Sequence, residues 1–364
     1  MPTLGPARKP HKGCSIAAGV AALVMSACSP DIVSPRLPTF APTADLSAIP
    51  LANSTLVTLP TGSYGCGRAM AINLFGVEGG HVFTCGSPGQ VKAALWINGA
   101  LVVLPSLPKG QISNVTSVAS DTEAVGFAVD SLGVAHAASW QNGVLTLLPG
   151  GQSSTAASIG PDGVIAGSIV SAGVRLPANW VNGVLVSDAQ PAGYVGARFN
   201  ARAVGTDAGT ALNPVNGVVR GVRAFRWLGP GNYQFLTLPA STSTIALGQM
   251  NVGGAVVGMA SGASGAVCAY WPAGSTTPTA VSFPVTATTG DLRVINKSNV
   301  LAGSLTRVHP VQTVPVTYDP GSGTWARLPT SDPYGVVYAS NEVGAWAGSI
   351  GNPNAQPVMW TAPP

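Results

Sequence analysis

Residues 136–149 read HAASWQNGVLTLLP: a short run closing on Trp140, a tight Asn142-Gly143 turn, and a second run ending in Leu148-Pro149. Asn-Gly between two apolar runs is the strongest short-range hairpin signal. The unit recurs. Aligned on the aromatic, the copies fall at Trp96, Trp140, Trp180, Trp227, Trp271, Tyr318 and Trp360, spaced 44, 40, 47, 44, 47 and 42 residues apart. That is the period of a four-stranded propeller blade. A helical repeat of similar length would need apolar residues at i, i+3 and i+4, and none are sustained.

Each copy divides in the same way. A first strand ends at Asn73, Ser120, Gly160, Asn200, Asn251, Asn296 or Asn341, where Asn can cap its own turn. A second strand carries a small-Gly step, as in Val125-Gly126, Ala166-Gly167, Val204-Gly205, Val257-Gly258, Ala302-Gly303 and Ala347-Gly348. A third strand closes on the aromatic, and a fourth follows the hairpin. The last copy stops at residues 359–361 without a fourth strand, while residues 55–60, TLVTLP, stand ahead of the first copy as an orphan. The expectation is an all-β, seven-bladed β-propeller of four-stranded blades. The N-terminal strand pairs with the last blade and so removes the open sheet edges.

The copies resemble the HAF-type bacterial extracellular repeat, through Ile72-Asn73, Ile295-Asn296, Val256-Val257-Gly258 and the segment His136-Ala137-Ala138-Ser139-Trp140. The resemblance covers about residues 55–361. The His slot holds Lys92, Leu176, Arg223, Val267, Val314 and Gln356 in the other copies. The resemblance implies an exported repeat protein and no established chemistry.

Composition agrees with short strands rather than solvated helices. Charged residues are 8% of the chain, against about 25% in ordinary soluble proteins. Residues 1–27 read as a signal peptide: Arg8, Lys9 and Lys12 precede the apolar run SIAAGVAALVMSA (15–27), too short for a membrane span of roughly 20 residues. The sequence Met25-Ser26-Ala27-Cys28 resembles a lipobox, which implies acylation of Cys28; the alternative is an ordinary secretory signal with Cys28 incidental. Ser29 resembles the residue that follows the Cys in lipoproteins of the outer membrane. The expected location is therefore the bacterial envelope, by a lipid anchor. Residues 28–54, with Pro30, Pro35, Pro38, Pro42 and Pro50, read as the lipidated Cys and a tether, and residues 55–364 as the propeller. Beyond the signal, 14 basic residues face 13 acidic ones, which gives no global attraction to nucleic acid.

Chemistry is sparse. Cys66 and Cys85 flank the first hairpin of blade 1, and in an exported protein either a disulfide or two buried thiols would fit. Cys268 reads as core. His81, His136 and His309 sit in different blades without a second ligand at binding spacing, so no metal and no cofactor are expected. The one departure from the pattern is blade 4, which holds Arg198, Arg202, Arg220, Arg223 and Arg226. Its stretch from Gly205 to Trp227 is 22 residues, against 10 to 15 elsewhere. Clustered Arg suits carboxylate, sulfate or phosphate; the alternative is that strand alternation sends these side chains to different faces. Two functions follow: a monomeric, non-catalytic scaffold binding an envelope protein or glycan, or a propeller lyase or hydrolase using the blade-4 arginines to hold an anionic polysaccharide.

Overall fold

The computed structural model describes residues 46–87, 89–215, 218–263, 265–284, 287, 289–307 and 311–361. They form seven four-stranded antiparallel sheets. Blade 1 is Gly65–Ile72, Glu78–Thr84, Val91–Ile97 and Ala100–Val103, and blades 2 to 6 follow in order. Blade 7 combines Gly335–Ser340, Trp346–Ile350 and Gln356–Thr361 with Thr55–Thr58 as its fourth strand. Thr55 pairs with Thr361 and Thr58 with Val358. First strands touch first strands all the way round, so they wall a central channel. The fold is a closed seven-bladed β-propeller.

The small-Gly step has a steric cause. In every blade the first strand carries a bulge, as between Ala69 and Ala71. The bulge turns one carbonyl toward the second strand. A Cβ on Gly80, Gly126, Gly167 or Gly303 would strike the carbonyl oxygen of Arg68, Asn114, Thr155 or Asp291. Only glycine leaves room for it.

The Leu-Pro endings have a cause too. The indole N–H of Trp140 donates to the Pro105 carbonyl at 2.9 Å, and those of Trp96, Trp180 and Trp360 donate to Pro60, Pro149 and Pro329. In each pair the acceptor ends the fourth strand of the preceding blade, and the Leu before it is buried. A buried indole needs a partner for its N–H, and the repeat supplies one across every such seam. The Asn turns add a second tie. Asn73 Oδ1 accepts from the backbone N–H of Phe75 and Val77, while Asn341 Nδ2 donates to the Asn73 carbonyl of the next blade.

Two sequence readings change. In blade 4 the first strand runs Val195–Ala203, so Asn200 lies inside it and Val204-Gly205 is the turn. The small-Gly step is Ala208-Gly209, whose Cβ would strike the Arg198 carbonyl. The long stretch before Trp227 is not a loop: Thr206–Val215 and Val218–Trp227 are paired ten-residue strands. At the other end, order begins before residue 55. Leu46 and Ile49 are buried against blades 5 and 6, and Arg327 donates to the Ile49 carbonyl while its own N–H meets Pro50. Part of the expected tether is therefore packed against blade 6. Cys28 and the signal segment lie outside the described residues.

Candidate functional site

The blade-4 register gives Arg198 a counterpart in every other blade. Its equivalents are Arg68, Asn114, Thr155, Ala246, Asp291 and Val336, one from each other blade and all at the same level of the channel wall. A charge there is not peculiar to blade 4.

Nor do the five arginines converge. Arg202 is held between two carboxylates, with Nη2 2.7 Å from the exposed Asp162 and Nη1 2.7 Å from Asp207. Asp207 is fully buried and accepts a further bond from Asn179 Nδ2 at 3.0 Å. Burial raises the Asp207 pKa, and Arg202 and Asn179 oppose that rise. Arg226, 3% exposed, reaches into blade 5 and donates to the carbonyls of Ser275, Pro272, Gly254 and Trp271. Among the described residues it faces no carboxylate, and burial lowers its pKa. These two arginines tie blade 4 to blades 3 and 5. Arg198 lies half-buried in the channel, with Nε 3.4 Å from Thr210 Oγ1. Burial, and then Arg175 nearby, push its pKa down. Arg220 is exposed and Arg223 half-buried on the third strand. A single anion site built from all five does not exist.

Blade 4 instead holds an aromatic cluster that the sequence reading missed. Tyr194 stacks on Phe235 with centroids 4.2 Å apart, and Phe225 meets Tyr233 edge-on at 5.0 Å. Blade 3 ends in Asp188-Ala189 where blades 1, 2, 6 and 7 end in Leu-Pro. Trp227 accordingly donates to the Asp188 carboxylate, as does the Tyr233 hydroxyl at 2.9 Å. Burial and the hydrogen bond to Asp188 both raise the Tyr233 pKa.

A more open site lies elsewhere. The disc has two ends: one bears the first-to-second turns and third-to-fourth hairpins, the other the second-to-third hairpins and the crossovers between blades. Both ends carry mixed charge: Lys297 stands among the turn-end carboxylates Asp121, Glu123, Asp162, Asp319 and Glu342, and Asp130, Asp188 and Asp332 stand among the crossover-end cations Lys92, Lys109, Arg175 and Arg220. At the crossover end, over the seam between blades 7 and 1, is a pocket of about 220 Å³. Its polar lining is Arg68, Thr313, Tyr334, Tyr338, Ser349 and Asn352. Arg68 projects from the first strand of blade 1, is exposed, and makes no hydrogen bond or ion pair among the described residues. Arg293, near Tyr338, is already clasped by Asp291 through Nε at 2.6 Å and through Nη2.

The remaining sequence candidates are local. Cys66 and Cys85 are joined in a disulfide with Cα atoms 5.2 Å apart. Cys268 is a buried thiol whose pKa burial raises. His136 Nε2 sits 2.9 Å from Asp130 on its own hairpin. His81 Nδ1 lies 2.8 Å from Asn114 Oδ1, and burial lowers its pKa to about 4. His309 lies outside the described residues. No group of three metal-ligating side chains occurs among the described residues. Glu78 is the oddity: 1% exposed, with neither carboxylate oxygen hydrogen-bonded among the described residues. Burial raises its pKa to about 7.

No family model matches the chain, and no curated protein does. Solved structures do. A virginiamycin B lyase of Staphylococcus aureus superposes with a TM-score of 0.56 at 11% identity, over 85% of this chain and 99% of that one. The β-propeller domain of the Trilobed protease of Pyrococcus furiosus gives 0.55 at 6% identity, over 82% and 94%. TolB of Acinetobacter baumannii gives 0.51 at 10% identity over 70% of this chain, which spans 63% of the TolB structure. At such identities the likeness carries the fold alone.

Proposed function

We propose that this is an envelope-anchored lipoprotein of the HAF-repeat type, whose propeller acts as a non-catalytic scaffold binding a protein or glycan. The lipobox-like Met25-Ser26-Ala27-Cys28 supports the anchor. The observation that carries the binding role is the crossover end. There, unpaired Arg68 and the groups of Tyr334, Tyr338, Ser349 and Asn352 converge on one pocket in a rigid ring. Hydrogen-bonding groups fixed on strands are suited to recognition, because little ordering is left to be done on binding. Envelope crosslinking and pull-down is the test, comparing wild type with Arg68→Gln and with Arg220→Gln. Loss of the captured partner with Arg68→Gln alone would support the pocket. Identical capture by all three would reject it. Cys28→Ser should release the chain from the membrane fraction, and persistent unacylated attachment would defeat the anchor.

One observation favours a second reading. Arg68 and Tyr338 share the pocket, the pair that a lyase would need to hold a uronate carboxylate and move the proton beside it. Turnover of an acidic glycan, read as new unsaturated ends and abolished by Tyr338→Phe, would replace the non-catalytic proposal.

A further inference from the structure

We infer that the seam pocket between blades 7 and 1 binds the carboxylate of an acidic sugar, and that the bound sugar locks the ring closed. The inference rests on reading the crossover end as the binding surface. It adds the ligand class and a mechanical consequence.

The ligand class follows from the lining. Among the described residues Arg68 is the pocket's one uncommitted cation: Arg293 is spent on Asp291, and Asp332 on the neighbouring loop accepts from the Tyr334 N–H at 2.8 Å. A lone guanidinium neutralises one charge, and its planar fork matches the two coplanar oxygens of a carboxylate better than a tetrahedral dianion. Beside the apolar Val336, Pro353 and Ala355, the lining offers the Tyr334 and Tyr338 rings, the hydroxyls of Thr313 and Ser349, and the Asn352 amide. Flat faces beside hydroxyl and amide groups suit a sugar ring, which offers apolar C–H faces and a belt of hydroxyls. At about 220 Å³ the pocket is smaller than the roughly 300–1,000 Å³ of drug-sized sites. One residue of a chain fits, with its neighbours lying across the crossover end.

The consequence follows from position. Arg68 belongs to blade 1, Tyr338, Ser349 and Asn352 to blade 7, and Thr313 to blade 6. Blade 7 is completed only by the four-residue pairing of Thr55–Thr58 with Gln356–Thr361. Beside it, Gln356 Nε2 donates to the Gly65 carbonyl at 2.7 Å and the Gly67 N–H to Ala355 at 2.9 Å. A sugar held by Arg68 on one side and Tyr338 on the other spans the join at which the ring opens. A ligand that binds only the closed state raises the melting temperature by mass action.

The test is thermal melting of the full chain in detergent with millimolar glucuronate, glucose, glucose 6-sulfate or sodium sulfate. Glucuronate should raise Tm by about 3 °C or more, glucose should not, and both sulfates should give less. Arg68→Gln should abolish the shift, Tyr338→Phe should reduce it, and Arg220→Gln should leave it intact. Equal shifts from sulfate and glucuronate, a shift surviving in Arg68→Gln, or no glucuronate shift in wild type would each overturn the inference. In that last case, envelope capture that still depends on Arg68 would leave the scaffold reading standing without an acidic sugar.

Discussion

Blades 2 and 4 share one register and solve it differently. Blade 2 fills the position opposite its Trp with Ala124, and Trp140 donates to the Pro105 carbonyl of the blade before. Blade 4 has Asp207 opposite Trp227, and its neighbour ends in Asp188 rather than Leu-Pro. Its seams are consequently held by Arg202, Arg226 and a cluster of rings where blade 2 uses small apolar residues and one indole. What the contrast teaches is that departure from a repeat is not by itself a sign of a site. In blade 4 Arg202 and Arg226 arrive with partners, which include Asp162 of blade 3 and the carbonyls of blade 5.

Breaking one half of the buried pair should cost most. Arg202→Met leaves the fully buried Asp207 carboxylate with Asn179 alone and is expected to lower stability by about 3–5 kcal/mol, whereas Arg202→Met with Asp207→Ala should return close to wild type. Denaturant unfolding of the single and double variants decides whether the ionic seam is replaceable by the aliphatic one of blade 2. Equal losses in both would refute it. Glu78 occupies the same register position in blade 1 without a partner, so it should behave oppositely. Its folded pKa of about 7 lies above the unfolded value of 4.5. The folded state therefore binds the extra proton between those values, and the stability penalty grows as pH rises from about 4.5 to 7. Glu78→Gln should gain on the order of 2–3 kcal/mol at pH 8 and nothing at pH 4, seen as a flatter curve of Tm against pH. Trp140→Phe should cost about 1–2 kcal/mol through lost area and a lost donor. Trp227→Phe, at a half-buried ring that shares Asp188 with Tyr233, should cost less. Arg220→Gln, on an exposed strand position, should stay within about 0.5 kcal/mol. A larger loss there would mean that the blade-4 hairpin has a partner within the fold.

The architecture was legible because the devices that build a blade leave recurring residues. Glycine fits beneath the bulged carbonyl, Trp reaches the preceding blade's Pro carbonyl at four seams, and Asn-Gly forms three of the hairpins. Blade 4 misled at the one place where a second copy of the signal lies nearby. Val204-Gly205 imitates the small-Gly step, while the true step, Ala208-Gly209-Thr210-Ala211, parallels Ala166-Gly167-Ser168-Ile169 four residues later. That shift made two paired ten-residue strands look like one overlong stretch between Gly205 and Trp227. The seam pocket was not legible. Arg68, Thr313, Tyr338 and Asn352 come from three blades, and no spacing in the chain connects residues that meet only when the ring closes. The packed segment before residue 55 was hidden for a similar reason, since its Leu46 and Ile49 answer to blades 5 and 6 rather than to any local period.

The way the ring closes also decides how the molecule would respond to being pulled. Thr55 and Thr361 are directly opposed at the same end of an antiparallel pair. Tension between the two ends of the propeller would thus load its hydrogen bonds one after another, as in a zipper, instead of all at once in shear. Before the first of them is reached, the pull must detach Ile49, Pro50 and Ala52 from Arg327. Under such a pull the short packed segment ahead of the closing strand yields first, and the ring stays shut until it has.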